Sequence, residues 1–346
     1  MSRYYLLGIC LATAASITMD STGAALAATL HPGDILVATR QGTNGAIYQV
    51  DPVTGVYTVI SDNTHGSGPA LQNATSVTMA SDGDLWVTST NGIVTGPQIT
   101  KVDPTTGNRV AVPGVPPDAL IMAREFNGSL IITAIHGLYV VNPVSGAVTP
   151  IAGSGLPLFT PGGFSIVGSS AFVADTLNLA VTRVDLVTGA RTFFSIPGGI
   201  VNDVAIESAS SLLTAGYTSS NSILSPQISR VDMATGHSVV VSSPTVGGGV
   251  TLQPPFVNPN GPLQLVGVAA GADGFIYTSA TGAGLSEILK VDPITGDRQL
   301  LANMAAVSDY VGYLTIVPAN VPEPSTLALG ACGALALLAV NRGRRR

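Results

Sequence analysis

Val50-Asp51-Pro52-Val53-Thr54-Gly55 is the first of six related phrases in a chain of 346 residues. The others are Val102-Asp103-Pro104-Thr105-Thr106-Gly107, Val141-Asn142-Pro143-Val144-Ser145-Gly146, Val184-Asp185-Leu186-Val187-Thr188-Gly189, Val231-Asp232-Met233-Ala234-Thr235-Gly236 and Val291-Asp292-Pro293-Ile294-Thr295-Gly296. Their Asp or Asn positions lie 52, 39, 43, 47 and 60 residues apart. Repeats of roughly 40–50 residues with strand-like flanks predict the blades of a β-propeller.

The phrase has the chemistry of a hairpin turn. Asp or Asn accepts hydrogen bonds from amides two or three residues on, Pro presets φ, Thr or Ser adds a local bond, and Gly takes the left-handed position. Asp51, Asp103, Asn142, Asp185, Asp232 and Asp292 are accordingly read as structural turn residues, and the uncharged Asn142 speaks against six calcium ligands. Gln98-Ile99-Thr100-Lys101-Val102 and Asn108-Arg109-Val110-Ala111-Val112 flank one turn as strands. Upstream lie two more strand types, such as Asp84-Leu85-Trp86-Val87-Thr88 and Ser76-Val77-Thr78-Met79-Ala80. Four antiparallel strands per repeat make one blade. Lys101, Arg183, Arg230 and Lys290 stand two positions before the turn Asp and share its strand face.

The first repeat lacks the earliest strand, while Gly312-Tyr313-Leu314-Thr315-Ile316-Val317 is left over after the sixth. Pairing the two ends closes a ring with no open edge. The expected fold is therefore all-β, a six-bladed β-propeller over residues 34–317 closed by its C-terminal strand. In general shape it resembles the NHL-like and gluconolactonase-like six-bladed propellers.

Composition agrees. Forty Gly and 23 Pro supply turns, and only 10% of residues are charged. With both ends set aside, 9 basic and 18 acidic residues remain, so no basic patch is available for nucleic acid. Cys10 and Cys332, the two cysteines, lie in terminal apolar segments, which removes disulfides, thiolate zinc sites and cysteine nucleophiles from the domain.

Both ends read as export signals. Arg3, an apolar run over 4–17 and Ala25-Leu26-Ala27 have the three parts of a secretory signal peptide, expected over 1–28 with a linker at 29–33. At 318–346, Pro322-Glu323-Pro324 precedes an apolar stretch at 327–340 and then Arg342, Arg344, Arg345 and Arg346. The apolar stretch is short for a span, but Thr326 and a snorkelling Arg342 extend it, and the arginines stay cytoplasmic. Motif, transmembrane sorting helix and basic stop resemble the PEP-CTERM sorting signal. That resemblance implies processing by the protease-transpeptidase exosortase near the Pro-Glu-Pro motif. It also implies transient inner-membrane anchoring, then release to the cell surface of a bacterium that makes exopolysaccharide and biofilm.

Propellers place ligands in the central channel and at the mouths of inner strands. Asn73, Asp118, Asn202, Asp203 and Asp309 are the candidate channel or metal ligands, and Ca²⁺ is the ion their oxygens would suit. The glutamate that gluconolactonase-like propellers carry on a first inner strand has no counterpart. His31, His65, His136 and His237 stand apart, and no nucleophile elbow accompanies them. Two longer connections, 61–71 and 243–262, stand out, the second offering Phe256 for stacking on a sugar or peptide. Two functions follow as expectations. One is a non-catalytic module that binds exopolysaccharide or a surface protein. The other is a divalent-metal-dependent lactonase or lyase with its site in the channel.

Overall fold

The computed structural model describes residues 29–319, except 91–95, 136, 197–198, 221–222, 253–263 and 283. The signal peptide, the Pro-Glu-Pro motif with its sorting helix and arginines, His136 and Phe256 lie outside the described residues. No helix occurs among the described residues.

Six four-stranded antiparallel sheets make up the fold. Blade 1 contains β1 (Ile35–Gln41), β2 (Asn44–Val50) and β3 (Tyr57–Ser61). Blade 2 runs from inside outward as β4 (Ala74–Met79), β5 (Leu85–Thr90), β6 (Pro97–Val102) and β7 (Arg109–Ala111). Blade 3 follows with β8 (Ala119–Phe126), β9 (Ser129–Ala134), β10 (Gly137–Val141) and β11 (Val148–Pro150). Blade 4 has β12 (Pro161–Val167), β13 (Ser170–Asp175), β14 (Ala180–Asp185) and β15 (Arg191–Ser195). Blade 5 has β16 (Gly199–Ile206), β17 (Ser211–Ser220), β18 (Ile223–Asp232) and β19 (Ser238–Ser242). Blade 6 has β20 (Gln264–Ala270), β21 (Ile276–Gly282), β22 (Leu285–Val291) and β23 (Arg298–Asn303). The last strand, β24 (Tyr310–Ile316), joins blade 1 as its inner strand, with Ile35 opposite Ile316 and Arg40 opposite Tyr310.

The core is distributed between blades. Among the described residues, buried clusters lie between neighbouring sheets, for example Leu36, Ile47 and Ile60 of blade 1 with Leu71, Val77 and Leu85 of blade 2. Another joins Trp86 and Ile99 of blade 2 to Leu130 and Val141 of blade 3. Because each sheet is covered on both faces, its middle strands read as near-continuous apolar runs instead of alternating. Ala171, Phe172, Val173 and Ala174 are all buried.

Each repeated phrase connects the third strand of a blade to its outer strand. Asp51 Oδ1 accepts from the amides of Val53 (2.8 Å) and Thr54 (2.7 Å), and Gly55 N donates to the Asp51 carbonyl at 2.9 Å. The neutral Asn142 Oδ1 does the same for Val144 (2.9 Å) and Ser145 (2.8 Å), so acceptor geometry and not charge is what the turn needs. Amide donation holds the Asp51, Asp185 and Asp292 carboxyls below their ordinary range.

The turn glycine also docks the blade on its predecessor. At Gly55 φ is +70°, and an added Cβ would sit 1.8 Å from the Leu301 carbonyl oxygen on β23. The other five turn glycines also meet the previous blade, Gly296 against the Val241 carbonyl, Gly189 against that of Ala152 and Gly236 against the Phe194 ring. One residue therefore satisfies a left-handed turn and an inter-blade contact together.

Gly55→Ala is expected to cost more than about 3 kcal/mol, combining a left-handed penalty with a backbone collision. Gly274→Ala, at φ +84° with nothing within 4 Å of an added Cβ, should cost about 1 kcal/mol. Denaturant midpoints of the two variants check the difference.

Candidate functional site

In all six blades the inner strand carries at least one extra residue against its partner, at 312–313, 75, 120–122, 162–163, 202 and 266–267. A bulge turns the backbone out of its own ladder and re-aims the side chains beside it. Here the freed groups bond across blades. Asn202 Nδ2 donates to the Leu265 carbonyl at 2.8 Å, and Ser279 Oγ on β21 donates to the Gly312 carbonyl at 2.7 Å. Ser165 Oγ donates to the Val204 carbonyl at 2.8 Å.

Three polar side chains from alternate blades, Tyr313, Arg124 and Asp203, project into the channel. Tyr313 of blade 1 reaches across it, its hydroxyl donating to the Asn202 carbonyl of blade 5 at 3.2 Å. Its ring lies 2.8 Å from where a Cβ on Gly163 of blade 4 would stand, so the opposite wall must be glycine. Arg124 of blade 3 donates through Nε to the Phe164 carbonyl of blade 4 and through Nη1 to Thr78 Oγ1 of blade 2 at 3.3 Å. Asp203 of blade 5 is fully buried. Its Oδ1 accepts from its neighbour Val204 N at 2.8 Å and its Oδ2 from Val268 N of blade 6 at 2.9 Å. Met122, Phe164 and Val266 pack with Tyr313 in one apolar cluster spanning four blades.

Burial dominates the electrostatics. It pushes the Asp203 carboxyl up to about 7, against the opposing pull of the Val268 amide, the Arg124 charge and the Val204 amide. The same dry surroundings pull Arg124 below its ordinary value and push the Tyr313 phenol up.

Of the five sequence candidates, Asn202 and Asp203 belong to this constellation. Asn73, Asp118 and Asp309 each sit immediately before an inner strand, on three different blades. Asn73, at φ +46°, bonds through Nδ2 to the Thr90 carbonyl at 2.9 Å. Asp118 Oδ2 accepts from Tyr139 Oη at 3.5 Å, and Asp309 Oδ2 from Gly42 N at 2.8 Å. Each thus ties the mouth of its inner strand to the same blade. The channel donor set does not fit a calcium ion, because the Asp203 oxygens face amides from two blades and the Asn202 amide is spent on a carbonyl. Among the described residues, no three His, Cys, Asp or Glu side chains converge as a metal site would require.

Lys101 and Lys290 pair with acids on the turn between the first two strands of their own blade. Lys101 meets Asp82 and, at 3.1 Å, Asp84, while Lys290 meets Asp273 at 2.8 Å. Arg230 does the same with Glu207 at 2.5 Å, and Arg183 donates to Ser170 Oγ at 3.0 Å.

A second arrangement was not read from the sequence. Arg109 and Arg298 stand two residues after a turn glycine and hold the connection arriving from the preceding blade. Arg298 donates to Ser242 Oγ (2.7 Å) and to the carbonyls of Ser243 (2.9 Å), Val246 (2.9 Å) and Val250 (2.7 Å). Arg109 repeats this with Ser61 Oγ (2.8 Å) and the Asp62, His65 and Pro69 carbonyls at 2.5, 2.8 and 2.8 Å. The signal was present. Ser61, Thr64, Gly66, Gly68, Leu71 and Gln72 align with Ser242, Thr245, Gly247, Gly249, Leu252 and Gln253. Gly66 and Gly247 press on the turn-glycine carbonyls of the next blade, and Leu71 and Leu252 are buried. The described part of each long connection is therefore a clamp between blades.

No family model matches this chain, and no curated protein matches it. Solved structures do. A chain of the nidogen/laminin complex superposes with a TM-score of 0.58 at 10% identity, covering 83% of this chain and 98% of that one. TolB from Acinetobacter baumannii superposes with a TM-score of 0.53 at 13% identity, covering 83% of this chain and 67% of that one. At such identities the likeness is one of fold, the six-bladed β-propeller.

Two outcomes test the site. Between about pH 4 and about pH 7 the folded state holds a proton on Asp203 that the unfolded state releases, so stability falls as pH rises through that window and levels off above it. Asp203→Asn should flatten this fall, which amounts to about 4 kcal/mol at most, in denaturant titrations at about pH 5 and about pH 8. Arg298→Ala should cost about 3 kcal/mol by stranding Ser242 and the loop carbonyls. Arg298→Lys should restore less than half, because an ammonium lacks the planar fork.

Proposed function

We propose that this chain is an exported surface module that binds a partner and performs no chemistry of its own. The carrying observation is the bonding at the centre of the ring. The Tyr313 hydroxyl, Arg124 Nε and Nη1 and both Asp203 oxygens are engaged by backbone or side chains of the ring itself, which supports reading the centre as a structural lock and the outer faces as the place for recognition. Likeness to propellers of unrelated sequence supports a scaffold role, since such folds carry function on loops set on a rigid ring.

Export and sorting complete the reading. The signal-like start, the Pro322-Glu323-Pro324 motif, the apolar stretch and the terminal arginines support delivery to the cell surface through an exosortase. Val317 N donates to the Asp34 carbonyl at 2.8 Å, so blade 1 is already closed ahead of the motif and cutting there would leave the ring intact. Exopolysaccharide and surface proteins are the partner classes.

The test has two arms. In an exosortase-bearing host, surface protein should lack the residues beyond the motif by mass spectrometry, and Glu323→Ala should remain in the membrane fraction. The purified domain should melt alike in calcium and in chelator and leave simple lactones unhydrolysed. Turnover of a lactone that chelator abolishes would overturn the non-catalytic reading in favour of the metal enzyme.

A further inference from the structure

Exposed large apolar residues elsewhere on the ring are mostly valines and isoleucine scattered over hairpin apices and outer strands, as Val53, Val144, Val187 and Ile294 are at the apices. Over blades 3 and 4 they gather. Ile135 opens the turn after β9, Leu156 and Phe159 lie in the connection from β11 to β12, and Leu177 and Leu179 lie in the turn after β13. Backbone bonds hold these pieces together, Thr160 N to the Ile135 carbonyl at 3.3 Å and Leu177 N to the Phe159 carbonyl at 3.4 Å. Leu156 and Leu177 keep 62% and 68% of their surface exposed, although the neighbouring Leu158 is fully buried.

The patch is built rigidly. Buried Asp175 accepts from Phe159 N at 3.2 Å and from Asn178 Nδ2 at 2.7 Å, pinning both sides of it, and presents no charge outward. Thr160 and Leu179 are held at φ +53° and +51°, a conformation that costs bulky side chains energy and concentrates at recognition sites.

Its edge carries a cation with donors to spare. Arg191 occupies the position of Arg109 and Arg298, two residues after a turn glycine. The connection it faces keeps Gly153, Gly155 and Leu158 but has no counterpart of Ser61 or Ser242. Among the described residues Arg191 therefore bonds only the Leu156 carbonyl, at 3.1 Å, and its buried Nε has no partner. Among the described residues no acid pairs with it.

We infer that this patch docks a segment of a partner protein presenting aliphatic or aromatic side chains beside a carboxylate. The inference rests on the binding-module reading and narrows it. A polysaccharide would strip many of its hydroxyls of water against Ile135, Leu156 and Leu177, and Arg191 at the edge could replace few of those bonds. Arg191 supplies the complementary charge that orients an acidic residue.

A phage library of random 12-residue peptides, selected on the immobilised full chain, tests this. Enriched peptides should pair apolar residues with Asp or Glu. Their affinity should fall at least about tenfold in Leu177→Glu and in Leu156→Glu, both exposed sites that leave melting unchanged, and should fall in Arg191→Gln. Ile294→Glu, at a hairpin apex, should bind as the parent does. Peptides indifferent to Leu177→Glu and Leu156→Glu, or failure to enrich any, would overturn the inference. So would sedimentation showing a dimer that Leu177→Glu dissociates, since a second copy would then be the occupant. Peptides mapping elsewhere, or glycans bound on an array, would leave the binding-module reading standing; nothing bound in either format would remove both.

Discussion

Everything in this ring depends on β24 pairing with β1. Six sheets packed face to face leave the first and last with an uncovered face unless the circle closes, and an uncovered face here would expose Ile35, Val37 and Tyr277 to water. Taking the inner strand of blade 1 from the end of the chain makes the six blades one cooperative unit. The closing segment carries more than backbone bonds, because Tyr313 on that strand is also the side chain that crosses the channel. Closure and channel filling are therefore the same event.

With the circle closed, the six positions lining its centre compete for one small volume. Six long side chains would collide there, and six short ones would leave a void. Tyr313, Arg124 and Asp203 come from blades 1, 3 and 5, and the missing side chain at Gly163 on blade 4 leaves room for both the Asp203 carboxyl and the Tyr313 ring. Layers filled from alternate strands are how closed β structures commonly solve this problem. The same two-blade rhythm appears at the perimeter, where Arg109, Arg191 and Arg298 belong to blades 2, 4 and 6 and each faces one of the three longest connections between blades. The ring thus behaves as three pairs of blades.

That pairing gives blade 4 its significance. Where blades 2 and 6 have a serine and a row of carbonyls for the arginine, blade 4 has a shortened connection and an arginine with unspent donors. The apolar residues of that connection and of the turn after β13 are held outward over the buried Asp175. A departure from an internal repeat is informative because the other copies show what complete satisfaction looks like.

Much of this was legible in the chain before any coordinates. Blade count, turn chemistry and ring closure followed from a six-residue phrase and a spare strand, because a turn is a local object: Asp51 needs only the amides of Val53 and Thr54. Also local, and missed in plain view, was the Ser–Thr–Gly–Gly–Leu–Gln spacing shared by 61–72 and 242–253. The channel was only half legible. Asn202 and Asp203 could be nominated as polar residues on an inner strand, but nothing near them in sequence announces Arg124 or Tyr313, which arrive from other blades across the ring. What the amino-acid sequence determined alone was the turns, through contacts within a few residues, and the blade count and closure, through their repetition. What the tertiary structure decided was which distant side chains share a volume. That depends on bulge positions and on the close approach of Gly163 and Gly55 to other blades, and no local rule encodes it.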